Sequence, residues 1–79
     1  MSITIPFSVS NGIKDCCIEL RDLAEGRVVT EIFHAPCPPG LHSVEFDPEN
    51  VEGGLDAGLY VLYVKIGEEA ESYPVQYFP

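Results

Sequence analysis

Positive charge is what this sequence has least of. Four Lys and Arg residues stand against thirteen Asp and Glu, a formal net charge of -9. Binding nucleic acid needs clustered cations against phosphate, so that class of partner is excluded. The same deficit disfavours docking to anionic membrane surfaces. No apolar run approaches ~18 residues, so no helix long enough to insert in a bilayer is expected. Tryptophan is absent and cysteine occurs three times, at Cys16, Cys17 and Cys37. That count, with two neighbours adjacent, is not a disulfide framework, and the redox state of the three is left open. Residues 1–10 lack the basic start and unbroken apolar stretch of a signal peptide. The expectation is a chain that stays inside the cell, leaves it without a leader, or has a leader outside this sequence. The compartment therefore stays unknown.

What is present is an apolar content of 46 % in 79 residues, enough for one core and one domain over 1–79. Sustained helical periodicity is missing, and turn residues recur every 8–12 positions, the spacing of an all-β sandwich or barrel. Residues 3–9 alternate cleanly, with Ile3, Ile5, Phe7 and Val9 on one side. Pro6 cannot donate to a ladder, which predicts an edge strand. Asn11-Gly12 turns the chain into residues 15–22, whose Cys16, Ile18 and Leu20 are the expected core face and whose Cys17, Glu19 and Arg21 face away. In residues 27–33 the alternation blurs, and a bulge carrying both Val29 and Ile32 inward would restore it. Residues 34–40 hold Pro36, Pro38, Pro39 and Gly40 and read as a rigid loop. A strand over 41–46 places His42, Val44 and Phe46 together, and a polar connection follows over 47–57. Residues 58–66 are apolar on both faces, with Tyr60, Leu62, Val64 and Ile66 opposed to Leu59, Val61, Tyr63 and Lys65. Such a strand is central, or its outer side is an interface. The last strand, 70–78, aligns Tyr73, Val75 and Tyr77, and Pro74 marks it as an edge.

Two long stretches, Pro39-Gly40-Leu41-His42-Ser43-Val44-Glu45-Phe46-Asp47 and Asp56-Ala57-Gly58-Leu59-Tyr60-Val61-Leu62-Tyr63-Val64, follow the hairpin that runs from Cys17 to Val29. In this order they resemble the immunoglobulin-like domain of flagellar hook-capping proteins, which is itself similar to the C-terminal sorting domains of type IX secretion. Phe46 stands where that family has Trp, and the last strand lacks the family's Lys pair. The resemblance implies a small immunoglobulin-like β-sandwich of six to seven strands and a structural role in an assembly. Apart from it, Gly40 and Gly58 enter strands from tight loops, a place that can require positive φ. Tyr60 is expected to bury its ring and keep its hydroxyl at the sheet margin.

Chemistry is sparse. Cys16, Cys17, His34, Cys37 and His42 do not have the ligand spacing of a zinc finger, and Cys37, read as part of an exposed proline loop, has nothing that would supply an oxyanion hole to a Cys–His nucleophile. Asp47, Glu49, Asn50, Glu52 and Asp56 carry oxygens for calcium, but not in the order of an EF-hand. Glu68, Glu69 and Glu71 read as a solvated hairpin, without the buried carboxylate pair that acid–base work requires. No catalytic, cofactor or metal residue is assigned, and an enzyme is not expected. The candidate site is an interaction surface of Leu59, Val61 and Tyr63, or alternatively an open strand edge. The expected partners are a protein or further copies of the chain. The expected role is a non-catalytic adaptor: a capping, decorating or linking subunit of a particle or filament. A calcium- or small-ligand-binding module and an isolated sorting domain are the alternatives.

Overall fold

A computed structural model describes residues 2–78. The strands are β1 (Ile3–Val9), β2 (Lys14–Asp22), β3 (Val28–Cys37), β4 (Gly40–Phe46), β5 (Gly58–Ile66) and β6 (Glu69–Tyr77), and a 3-10 turn, Pro48–Asn50, follows β4. Two antiparallel sheets form a sandwich. The narrow one pairs β1 with β4, and the wide one runs β3-β2-β5-β6. Hairpins β2–β3 and β5–β6 are joined edge to edge through β2 and β5, so these two strands are central.

The period-two pattern decides which side chains meet. Ile5, Phe7 and Val9 from β1 face Cys16, Ile18 and Leu20 from β2, with Leu62 and Val64 from β5. Ile18, Leu20 and Cys16 are the largest side chains that are fully buried. Each apolar side chain taken fully out of water contributes roughly 1.5–3 kcal/mol against chain entropy. Phe7 makes the central contact between the sheets. Its ring lies 6.1 Å from that of Phe33 and stacks at 5.3 Å on His42. Gly40 and Gly58 open β4 and β5 with φ of 131° and 157°, backbone that L side chains rarely adopt. The Tyr60 hydroxyl donates to the Asp56 carbonyl at 2.6 Å while its ring packs against the core, as its amphipathic shape suggests.

Three expectations about β3 and its surroundings need correction. Residues 34–37 continue the strand where a proline loop was expected. β3 pairs only with β2, and a proline on an edge strand can turn its N side away from the ladder, so Pro36 is tolerated opposite Asp15. Cys37 is accordingly not in an exposed loop. It lies opposite Lys14 and is 6 % exposed, inside the core. Finally, the register shifts at two places, skipping Ile32 and Val29. Ile32 turns toward the core as expected, but Val29 stays exposed, because Thr30 already occupies the place opposite Leu20. Smaller differences are that β2 begins at Lys14, β4 at Gly40, and β6 runs from Glu69 to Tyr77.

Candidate protein-docking face

β5 is apolar on both sides because it is both central and bare on one side. Its inner residues Leu62 and Val64 are buried, while Leu59, Val61 and Tyr63 lie on the outer face of the wide sheet. The register builds this face row by row. Leu59 is flanked by Leu23, whose N–H donates to the Leu59 carbonyl at 3.4 Å, and by Gln76. Val61 sits between Arg21 and Pro74, and Val28 follows Arg21 on the next strand. Tyr63 lies between Glu19 and Ser72. The result is an apolar band across the sheet, in which Leu23, Val28 and Leu59 are each about half exposed.

Arg21 shapes the band. Its guanidinium lies 4.1 Å over the Tyr63 ring and one nitrogen donates to Glu19 at 2.8 Å. A cation over an aromatic face contributes about 0.5–1 kcal/mol at an exposed site. The interaction pins the long side chain over Tyr63, in the row beside Val61. Its Nε is shielded from solvent and makes no hydrogen bond.

The other end of this face is polar. His34 lies opposite Cys17, and its Nε2 is 3.2 Å from the Asp15 carboxylate. That hydrogen bond, with the charge of Asp15, pushes the His34 pKa up. A proton NMR titration should therefore place the His34 midpoint above the ordinary ~6.5, and Asp15→Asn should bring it back. A raised folded-state pKa means the pair stabilises below the unfolded value and loses its effect as pH rises through the folded midpoint. An unchanged midpoint in Asp15→Asn would show that the pair does not form.

Cys17, Glu19 and Glu31 bring one ligand atom each within 4.8 Å of one another, the one such group of His, Cys, Asp and Glu among the described residues. One feature opposes a metal here: Arg21 already holds Glu19. Burial, with Glu19 and Glu31 adding to it, pushes the Cys17 thiol up. The histidine and cysteine set considered for zinc is not brought together. Cys16 and Cys37 face the core, His34 and Cys17 lie outside, and His42 stacks on Phe7 in the other sheet. The acidic connection after β4 folds on itself. Asp47 accepts from the Glu49 N–H at 3.0 Å and from the Asn50 side chain at 3.3 Å, capping the 3-10 turn.

The three thiols differ in access. Burial pushes Cys16 up, and the neighbouring Cys37 adds to the effect. Cys17 alone is partly accessible. A disulfide-exchange reagent should label at most one thiol in the folded chain, slowly, and all three after denaturation. Fast labelling of two or more in native buffer would contradict the core position of Cys16 and Cys37.

Free edges are the other candidate. β1, β3 and β6 each carry a proline within the strand, at Pro6, Pro36 and Pro74. β4 has none, and Leu41 on it is 91 % exposed. Prolines blunt edge-to-edge pairing, so β4 is the least protected of the four.

Arg21, Leu23 and Val28 were not part of the sequence-derived site. The outward facing of Arg21 was visible in the alternation of β2, but its position beside Val61 and Tyr63 depends on β2 pairing with β5 across more than thirty residues of chain. No protein-family model, curated protein or solved structure matches this chain, so its functional reading rests on this geometry.

Proposed function

We propose that this chain is a non-catalytic structural or adaptor module that docks through the outer face of its wide sheet. Leu59, Val61 and Tyr63 form the centre of the contact, with Leu23, Val28 and Arg21 around them. The observation that carries the reading is the exposed apolar band beside an interior that is already filled. Contiguous apolar surface of this kind is costly in water unless a partner covers it. Aromatic and Arg side chains, which Tyr63 and Arg21 supply, are enriched where binding energy concentrates. No helix among the described residues is long and apolar enough to cross a membrane.

The role proposed is that of a capping, decorating or linking subunit, as the resemblance to the hook-capping domain implies. The partner is another protein or further copies of the chain. The test compares the wild-type chain with Val61→Asp by light scattering, alone and mixed with lysate. Wild type should enter a larger particle, or self-associate, and the variant should remain at its monomer mass. Equal behaviour of the two would remove the outer face from the mechanism.

A further inference from the structure

The two sheets have unequal width, and the narrow sheet leaves one strand of the wide sheet uncovered. Two strands, β1 and β4, face four, and among the described residues no strand pairs with the second edge of β1. The consequence falls on β6. Its residues Val75, Tyr73, Glu71 and Glu69 stand opposite Tyr60, Leu62, Val64 and Ile66, the inward set of β5, so they share the inner face. Yet Tyr73 is 47 % exposed while its neighbour Leu62 is 7 % exposed. Between β1 and β6 runs a groove of about 870 Å³, with Phe7, Val64, Ile66 and Tyr73 among its apolar walls. Adjacent strands lie about 4.8 Å apart and packed sheets about 10 Å. A strand laid beside β1 would therefore rest over β6.

We propose that this groove receives an extended segment of a partner protein, apolar where it lies over Phe7 and Tyr73 and basic where it lies over Glu71 and Glu69. The chemistry of the walls selects it. Glu68, Glu69 and Glu71 line one end, and Lys14 is the single cation among the lining residues. An all-apolar strand would bury those carboxylates without counter-charges, which is costly even though Glu71 keeps the hydrogen bond donated by the Tyr73 hydroxyl. Lys or Arg at alternate positions would meet them while Val-like side chains cover the Tyr73 end. A second copy of this chain does not fit. Its four cations are Lys14, Arg21, Arg27 and Lys65, no two of them two residues apart, and its net charge is -9. Pro6 on β1 lacks an N–H and interrupts backbone pairing along this edge. Side chains therefore carry most of the affinity, and salt should weaken it.

The inference shares the protein-binding reading but uses the opposite side of the wide sheet, so the two fail separately. The probe is a fluorescein-labelled nonapeptide, Thr-Val-Thr-Val-Thr-Lys-Thr-Lys-Thr, which puts two Val and two Lys on one strand face. Its control carries Glu at both Lys positions. Binding to the full chain is followed by anisotropy and by amide NMR shifts. Expected is saturable binding of the Lys peptide alone, with the largest shifts at the groove residues Phe7, Ser8, Lys14, Ile66, Glu69 and Glu71. Raising salt from ~0.05 to ~0.5 M should weaken it about tenfold or more. The double variant Glu69→Lys, Glu71→Lys alters two exposed positions, and its melting curve confirms folding; it should lose the peptide. Val61→Asp should keep it. No saturable binding, equal binding of the Glu peptide, binding that survives the double variant, or shifts centred on the outer-face residues Leu59, Val61 and Tyr63 would each overturn the proposal.

Discussion

Val61→Asp should abolish the proposed docking while leaving the chain folded. Val61 is only partly buried, and it lies between Arg21 and Pro74 on a face that no other strand of the described residues covers. In the free chain the new carboxylate stays hydrated and gains Arg21 as a neighbour, so the cost to folding is limited to strand preference, under about 1 kcal/mol. In a docked complex the same carboxylate is taken out of water against apolar surface. Even a modest desolvation penalty of about 3 kcal/mol weakens association by more than ~100-fold. Sedimentation or light scattering should show monomer at concentrations where wild type is assembled, with an unchanged β-type circular dichroism spectrum. Lys65→Ala, on the same strand and face but beyond the apolar band, should behave as wild type. If both variants assemble normally, the contact lies elsewhere.

Leu20→Ala should have the largest effect on stability. Leu20 is 1 % exposed and lies between Thr30 of β3 and Leu62 of β5, at the centre of the wide sheet's inner face. Removing its branched end loses burial and leaves a cavity that rigid neighbours cannot close, about 2–5 kcal/mol in comparable cores. A chain of this length has a total stability of roughly 4–12 kcal/mol, so the variant should melt at least ~10 °C lower. Leu41→Ala is the internal control. Leu41 is 91 % exposed, and its truncation should change stability by no more than about 0.5 kcal/mol. Similar melting curves for the two variants would mean that the inward face has been misassigned.

How far the sequence could be read depended on whether the deciding interaction was local. β1 and β5 begin and end where their alternation does, and the inward sets of β2 and β5 follow from parity alone, because neighbouring side chains on a strand must point to opposite faces. β3 was harder. Pro36 reads as a break until it is known that the strand lies at an edge, and edge position is a property of the whole sheet. The place of Cys37 in the core was hidden for the same reason. The candidate face shows the same division. That Leu59, Val61 and Tyr63 share a side was visible in β5, whereas the additions of Arg21, Leu23 and Val28 arise from pairing with distant chain.

Composition and alternation alone thus settled that the chain would form strands, which side of most strands would be greasy, and that its surface would be acidic. Those are short-range consequences of side-chain chemistry and the two-residue repeat of extended backbone. Which strands became neighbours, and that two would cover four and leave β6 open beside β1, was decided only in three dimensions. Pairing and layer width depend on how all the inward side chains fit together at once, and no single segment carries that information.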